Sequence, residues 1–370
     1  MRVKIIGAGS IGNHMAKASR ELGWDVAVVD ISRDALARMR DEIYPGRYGA
    51  WDPAIQLRHS DDAITGDFDV VIIGTPPDHH LTLAMKALSA CPKAILIEKP
   101  LCPPSLEGAQ ALFEAAKSTS TKLFVGYDHV VGRSARAASD LIRADRIGDV
   151  LTIDVEFREH WAGIFKAHPW LAGPHDSYLG FFNRGGGAGG EHSHALNLWQ
   201  HFAHVAGAGR VRDVNAMMRF SSAGQTHYDE ICLMTLRTET GMIGRVVQDV
   251  VTLPPRKRAT IQGTLGSVEW INGYDPSGDA VMLRRHDKDD ELSRFPKRRV
   301  DDFIEELRHV ADHLDPGSAS SDIGVERGLD TALVLAAAHR SEQRGRLIRI
   351  DYGSEYSPQA LVDAGEQEHD

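Results

Sequence analysis

The chain has 370 residues, a hydrophobic content of 42%, a charged content of 25% and a formal net charge of −10. This length predicts two domains, and the composition is typical of a soluble globular protein. The negative charge argues against nucleic acid and a membrane surface as partners, because both select basic proteins. A strand begins at residue 2 and no apolar run reaches membrane-spanning length, so we expect a cytoplasmic protein without a signal peptide.

The first third of the chain alternates predicted strands and helices. The strands are expected at residues 2–6, 26–29, 70–73, 95–97 and 123–125. The intervening helices are expected to end near Leu22, Glu42, Ala90 and Lys117, the last of them beginning at Pro103. Such alternation is typical of a doubly wound parallel sheet, so the fold class is α/β and residues 1–126 are predicted to form a Rossmann domain.

The pattern changes after this domain. A linking helix over 133–144 and two final helices over 300–314 and 323–344 surround a series of predicted strands at 150–158, 212–220, 230–238, 241–250, 256–263 and 267–272. Short turns between successive strands predict a C-terminal α+β domain over 127–351 with a large, open, mostly antiparallel sheet. Residues 352–370 contain acidic residues and no lysine or arginine, so we expect an acidic, partly disordered tail.

A glycine-rich turn follows the first strand and reads Gly7-Ala8-Gly9-Ser10-Ile11-Gly12. It opens a helix, and the second strand ends in Asp30, which is the context that makes such a turn a dinucleotide site. Asp30 would accept hydrogen bonds from the adenosine ribose and repel a 2′-phosphate, so NAD is favoured over NADP. Arg33, three residues later, is able to soften that preference.

A lysine stands at the carboxyl end of a buried strand, in the sequence Glu98-Lys99-Pro100. Ligands of open α/β sheets bind in the crevice outside those strand ends. Lys99 is therefore predicted to contact both the cofactor and the substrate.

These features together resemble the glucose–fructose oxidoreductase, inositol dehydrogenase and rhizopine-catabolism (Gfo/Idh/MocA) family. The resemblance rests on the glycine turn, Thr75-Pro76-Pro77-Asp78-His79-His80, Glu98-Lys99-Pro100-Leu101, Val125-Gly126-Tyr127, and Gly185-Gly186-Gly187 followed by Glu191 and His194. It implies a Rossmann domain, a second domain whose open sheet face forms a homodimer or homotetramer contact, and NAD(P)-dependent oxidation or reduction at one carbon of a sugar, cyclitol or related polyol.

The resemblance implies a catalytic set of Lys99, Glu191 and His194. Hydride leaves a carbon only as its hydroxyl proton departs, so a base must reach that oxygen, and His194 is suited to this near neutral pH. Lys99 would hold the developing alkoxide. Glu191 would orient the imidazole, since residues three apart share a helix face.

The predicted ligand contacts extend this set. The expected cofactor-binding residues are Gly7, Gly9, Ser10, Ile11, Gly12, Asp30, Ile31, Arg33, Thr75, Pro76, His80, Glu98 and Lys99. The expected substrate-binding residues are Lys99, Tyr127, His129, Trp161, His194 and Asn197. Four departures from the family pattern leave the substrate open: Glu191 precedes His194 by three residues where many members have an aspartate at four, Asn197 replaces an aspartate, Asp128-His129 replaces a basic-aromatic stretch, and Pro77 replaces a frequent asparagine.

Two readings of the segment around the histidines stay open. Glu191, His194 and His201 could supply a carboxylate and two imidazoles as metal ligands. Their spacing matches no zinc signature, so hydrogen bonding to the substrate is favoured and no metal is predicted. The aromatic residues of the same region either face a sugar or plug a crevice or subunit contact; these are Trp161, Trp170, Tyr178, Phe181 and Phe182.

Three functions compete. The leading one is an NAD-dependent oxidoreductase acting on a sugar or sugar derivative. The second is a glycoside-cleaving enzyme that oxidises its substrate transiently, eliminates the glycosidic bond and regenerates bound NAD. The third is a non-catalytic NAD-binding regulator, against which Lys99, Glu191 and His194 argue because a binder needs no aligned acid–base set.

Overall fold

The computed structural model describes residues 1–61, 67–222, 224–315 and 317–364. Its first sheet is parallel throughout and has the strand order 3-2-1-4-5-6. The strands are β1 (Arg2–Ile6), β2 (Asp25–Asp30), β3 (Gln56–His59), β4 (Val70–Ile73), β5 (Ala94–Ile97) and β6 (Lys122–Val125). Strands β4 and β5 are apolar and buried along their whole length, as expected of interior strands of the predicted Rossmann sheet.

Helices connect these strands. They are α1 (Ser10–Glu21), α2 (Arg33–Arg38), α3 (Tyr44–Tyr48), α4 (His80–Leu88) and α5 (Ala109–Lys117). The helix expected from Pro103 begins only at Ala109, because Leu106 and Gly108 adopt positive φ angles of 59° and 82° that a right-handed helix cannot contain. The edge strand β3 was not predicted, since its polar, half-exposed sequence lacks an apolar run.

The second sheet has ten strands among the described residues, in the order 14-13-12-11-7-10-9-8-15-16. They are β7 (Val150–Arg158), β8 (Val211–Ser221), β9 (Tyr228–Thr238), β10 (Ile243–Asp249), β11 (Arg256–Gly263), β12 (Gly266–Asp275), β13 (Gly278–Arg285), β14 (Lys288–Pro296), β15 (Ile348–Ile350) and β16 (Leu361–Asp363). Only the β7–β10 pair is parallel in this sheet as described, which confirms the mostly antiparallel prediction. The hairpin β13–β14 was missed because β14 is almost wholly exposed and shows no alternation.

The helices of the second domain are α6 (Asp128–Val131), α7 (Arg133–Arg143), α8 (Trp161–Lys166), α9 (Gly187–Glu191), α10 (Ser193–Val205), α11 (Asp301–Asp312) and α12 (Val325–Arg344). Of these, α7, α9, α10 and α12 pack on one face of this sheet, whereas α11 packs on α1 and α6. The other face is open and carries Met217 and Leu233, which are 71% and 43% exposed and lie opposite each other in the β8–β9 register. This is the face for which the family resemblance implies a subunit contact.

Residues 352–364 of the expected acidic tail are ordered. Strand β16 pairs with β15, and the Tyr352 hydroxyl donates to the Val211 carbonyl oxygen at 2.7 Å. Tyr356 is buried and donates to Asp330 at 3.0 Å. Apolar and aromatic groups thus anchor an acidic segment, whereas residues 365–370 of the prediction lie outside the described residues.

The last long helix joins the two sheets. The Val125 backbone N–H, at the end of β6, donates to the Ile323 carbonyl oxygen at 2.8 Å, just before α12 begins. A Cβ on Gly328 of α12 would lie 2.3 Å from a methyl carbon of Val125, so the helix is packed directly on the first sheet. The carboxyl ends of β5 and β6 therefore face the helices of the second domain.

No helix within the described ranges is long and apolar enough to cross a membrane.

Candidate active site

The glycine turn between β1 and α1 is closed on one side and open on the other. Gly7 has a φ angle of 110°, and a Cβ there would lie 2.6 Å from the Gly74 carbonyl oxygen at the end of β4. A Cβ on Gly12 would lie 2.0 Å from the Gly7 carbonyl oxygen, whereas one on Gly9 would meet nothing within 4 Å. The first and third glycines thus permit the turn, and the second leaves room for a pyrophosphate at the helix N-terminus.

We expect Gly12→Ala and Gly9→Ala to separate these two roles. Gly12→Ala should lower the free energy of unfolding by more than about 2 kcal/mol, because its Cβ would overlap backbone. Gly9→Ala should leave stability unchanged and weaken NAD binding at least about tenfold, because the methyl group occupies the space of the cofactor. Denaturant unfolding and NAD titration measure the two effects, and an unchanged NAD affinity in Gly9→Ala would contradict the assignment.

Asp30 is held against the turn. One carboxylate oxygen accepts from the Ala8 backbone N–H at 2.8 Å, and the other accepts from the Ser32 N–H at 2.8 Å. Ser32 in turn caps α2 by accepting from the Ala35 N–H. The carboxylate is therefore fixed beside the glycine turn, where the ribose of NAD is expected, while the side chains of Ile31 and Arg33 are exposed next to it.

His80 connects two strand ends. It is fully buried, with Nε2 2.7 Å from the Thr75 carbonyl oxygen and Nδ1 3.0 Å from the Pro100 carbonyl oxygen. Burial lowers the pKa of His80 to about 4. The side chain thus joins the turn after β4, which contains Thr75 and Pro76, to the turn after β5, and this position indicates a structural role.

Lys99 lies immediately beyond β5 and reaches α9. Its Nζ donates to the Glu191 carbonyl oxygen at 2.9 Å and lies 3.3 Å from Oε2 of the same residue. Burial opposes ionisation of Glu191, but the charges of Lys99, His192 and His168 and the hydrogen bond from Lys99 together outweigh it, so the pKa of this carboxyl is lowered. Lys99 and Glu191 therefore form an ion pair at the carboxyl edge of the parallel sheet.

His194 lies in the first turn of α10, with Nδ1 3.5 Å from Oδ1 of Asp128. Burial, followed by the charges of His129 and Lys99, holds the pKa of His194 well below its usual range. The imidazole is therefore neutral near pH 7, as a base must be.

The predicted pairing of Glu191 with His194 differs from what is observed. The two residues lie on different helices, because α9 ends at Glu191 and α10 begins at Ser193. The carboxylate beside the imidazole is Asp128, at the start of α6, which sequence reasoning missed as a site residue. The available signal was the departure from the family pattern at Asp128-His129.

His129 completes a cluster with these two residues. Its Nδ1 lies 3.9 Å from Oδ1 of Asp128, and its ring centroid is 4.7 Å from that of His194. The rings of Phe157 and Trp270 pack edge-on against it. Tyr127, also predicted to contact substrate, packs edge-on against His194 at 5.7 Å but is buried.

Other predicted contacts lie elsewhere. Asn197 is buried and donates to the Thr331 hydroxyl oxygen at 3.0 Å, so its amide is directed to α12. Trp161 packs against Phe165 and Tyr228 in a small apolar cluster that includes Ala188 of α9. His201 lies 2.9 Å from the Ser139 hydroxyl, so Glu191, His194 and His201 do not form a common ligand set.

Glu98 is buried behind this site. Its carboxylate packs against Gly126, where a Cβ would lie 2.9 Å from Oε2, and its Oε1 has no hydrogen-bond partner among the residues described. Burial and the charge of Asp128 raise the pKa of Glu98 from 4.5 to about 8.

This raised pKa predicts a pH-dependent stability. The folded state retains the proton of Glu98, so stability should be lost as the pH rises from 4.5 to about 8, with a slope of at most about 1.4 kcal/mol per pH unit. In Glu98→Gln this decrease should disappear, making the variant more stable than the wild type at pH 8 but not at pH 4. Denaturant unfolding from pH 4 to pH 8 measures the free energy of unfolding of both proteins. Parallel pH dependences in the wild type and Glu98→Gln would contradict the assignment of the effect to Glu98.

A parallel nucleotide-binding sheet with an open glycine at its turn, a lysine beyond the end of β5 and a histidine in the first turn of α10 define an NAD-binding oxidoreductase. The chain belongs to the Gfo/Idh/MocA family. Residues 1–127 match the oxidoreductase family model with an NAD-binding Rossmann fold, and residues 135–269 match a Gfo/Idh/MocA C-terminal domain.

Solved structures share this fold over nearly the whole chain. An oxidoreductase from Agrobacterium radiobacter in complex with NAD⁺, L-tartaric acid and magnesium is 19% identical, with a TM-score of 0.75 over 96% of this chain and 99% of its own. The WlbA dehydrogenase from Bordetella pertussis, in complex with NADH and UDP-GlcNAcA, is 20% identical, with a TM-score of 0.68 over 95% and 98%. A levoglucosan dehydrogenase bound to NADH and L-sorbose is 19% identical, with a TM-score of 0.75 over 95% and 99%.

At these identities the likeness concerns the fold. Comparison with curated protein sequences yields no significant match.

Proposed function

We propose that this protein transfers hydride between NAD and a secondary alcohol or ketone carbon of a sugar, cyclitol or sugar derivative. The observation that carries the proposal is the position of Lys99 and His194, one at the end of β5 and the other in the first turn of α10. The carbohydrate ligands named for the similar structures, L-sorbose and UDP-GlcNAcA, support this substrate class.

Each residue of the site has a separate role in removing the proton from the substrate hydroxyl. Bound NAD would accept the hydride that leaves the substrate carbon. His194 takes the hydroxyl proton at the same time, and the ammonium of Lys99 stabilises the negative charge that develops on the oxygen. Asp128, 3.5 Å from His194 Nδ1, stabilises the imidazolium that forms. The ion pair with Glu191 holds Lys99 in place between the two domains.

A substrate screen tests the proposal. Purified protein with NAD would be incubated with aldoses, ketoses, cyclitols and their glycosides, and nicotinamide absorbance would be followed in both directions with the corresponding keto compounds. We expect reduction of NAD by at least one polyol. If no compound changes the absorbance and wild type and Lys99→Ala behave alike, the proposal is refuted.

One observation favours a second candidate, in which NAD stays bound and a glycosidic bond is eliminated after transient oxidation. The segment over 161–184 contacts the nucleotide-binding domain at separate places. Arg47 donates to the Ala167 carbonyl oxygen at 2.7 Å and to the Ser10 hydroxyl oxygen at 2.8 Å, beside the glycine turn. Arg184 pairs with Asp78 at 2.7 Å. Such contacts beside the glycine turn would slow the exchange of NAD, as the second candidate requires.

The two candidates differ in products. Transient oxidation would release free sugar from a glycoside with no net NADH, whereas a dehydrogenase forms one NADH for each sugar oxidised. Product analysis together with absorbance on a panel of p-nitrophenyl glycosides distinguishes them.

The open sheet face supports a proposed homo-oligomer. Met217 on β8 and Leu233 on β9 expose apolar surface on this face, and Arg245 of the neighbouring β10 pairs with Asp154 at 3.1 Å. Sedimentation measures the oligomeric state: we expect the wild type to be an oligomer and Leu233→Asp, which places a charge on this face, to dissociate. A monomeric wild type would contradict the proposal.

A further inference from the structure

We propose that Asp128, His129 and His194 form a binding site for a divalent transition metal such as Zn²⁺, and that metal bound there inhibits the enzyme. One potential ligand atom from each residue lies within 4.8 Å of the other two. The inference rests on the proposed role of His194 as base and adds a regulation of the same site.

The distances favour metal ligands over hydrogen bonds. Oδ1 of Asp128 is 3.5 Å from His194 Nδ1 and 3.9 Å from His129 Nδ1. Both separations exceed those of ordinary hydrogen bonds. Two ligand atoms that each bind Zn²⁺ at about 2.1 Å lie about 3.4 Å apart in a tetrahedral site and at most about 4.2 Å apart. The ligand atoms of His129 and His194 lie within 4.8 Å of each other, so closing the set onto one ion requires side-chain shifts on the order of 1 Å.

Unpartnered polar atoms also favour a metal site. Asp128 Oδ1 and His194 Nδ1 are both buried, and neither has a hydrogen-bond partner within the part of the chain that is described. A buried polar atom without a partner is unfavourable, and a bound cation would satisfy both atoms. A carboxylate and two neutral imidazoles are a ligand set typical of Zn²⁺.

The surroundings fix the ligands and leave one side accessible. Phe157 and Trp270 pack against the His129 ring, and Tyr127 packs against the His194 ring. The side chains of His129 and His194 remain 11% and 15% exposed. Three protein ligands with an accessible fourth position match the arrangement of exchangeable rather than closed zinc sites.

Coordination would remove the base without changing the number of protons on the ring. A neutral imidazole carries one proton, and binding of the metal by Nδ1 places that proton on Nε2. His194 then has no free lone pair to accept the substrate proton, so hydride transfer stops. Removal of the metal restores the base.

The test uses full-length, chelator-treated protein without NAD or substrate. Titration with Co²⁺ should give visible absorption bands that saturate at one equivalent and are displaced by Zn²⁺. His129→Ala and Asp128→Asn should each weaken Zn²⁺ binding, measured by calorimetry, at least about 100-fold. His204→Ala, an exposed histidine at the far end of α10, is the matched control and should bind as the wild type does. Circular dichroism establishes that each variant is folded.

The outcomes separate this inference from the proposed function. One equivalent of Zn²⁺ should suppress NAD reduction, and excess chelator should restore it. Binding well below one equivalent, or equal affinities in His129→Ala and His204→Ala, would overturn the site, and activation by Zn²⁺ would overturn the inhibition. Activity of the metal-free protein tests the proposed function on its own, since it does not depend on metal binding.

Discussion

Lys99→Ala is expected to lower kcat for NAD reduction by about 10²- to 10³-fold, the usual loss when one group that stabilises a developing oxyanion is removed. The affinity for NAD should change far less, because the glycine turn and Asp30 contribute that binding. Steady-state kinetics on any substrate found in the screen, with NAD titration, measures both quantities.

Lys93→Ala is the matched control. Lys93 precedes β5 as Lys99 follows it, and its ammonium pairs with Asp69 at 2.8 Å while the side chain stays 64% exposed. This variant should keep full activity. If Lys99→Ala loses NAD affinity as strongly as kcat, Lys99 serves the cofactor rather than the reacting oxygen, and its proposed role is wrong.

Asp128→Asn is expected to lower kcat by about 10²- to 10⁴-fold, because an amide neither stabilises the imidazolium nor selects the tautomer that leaves the base free. Glu191→Gln is the informative comparison, since the sequence had assigned the orienting role to that residue. It should lose much less activity, because the Glu191 backbone carbonyl, which also accepts from Lys99, is unchanged.

The pH profile gives a second measure of the same pair. His194 must be neutral to accept a proton, so activity is lost at pH values below the pKa of His194. Because burial lowers that pKa, the wild type should keep constant activity down to pH values below 6.5. Removal of the Asp128 charge should move the acidic limb to still lower pH. A larger loss in Glu191→Gln than in Asp128→Asn, or a limb that moves upward, would contradict the assignment.

Much of the fold followed from local patterns. The apolar runs of β4 and β5, the glycine turn and the acid at the end of β2 each lie within a few consecutive residues, and they predicted the Rossmann sheet, NAD and the position of Lys99. The strands β3 and β14 escaped prediction because they lie at sheet edges, where half-exposed strands need no apolar pattern.

The site was predictable only in part, because local patterns place single residues but not their contacts with distant parts of the chain. The sequence by itself determined which groups stand at the ends of strands and helices, namely Lys99 after β5, Glu191 at the end of α9 and His194 at the start of α10, since hydrophobic runs and glycines set the local backbone. Only the tertiary structure decided their partners. The break between α9 and α10 separates Glu191 from His194, and the packing of α6 against α10 brings Asp128 and His129, more than 60 residues earlier in the chain, to the imidazole. Such contacts depend on how whole elements pack, and no local spacing encodes them.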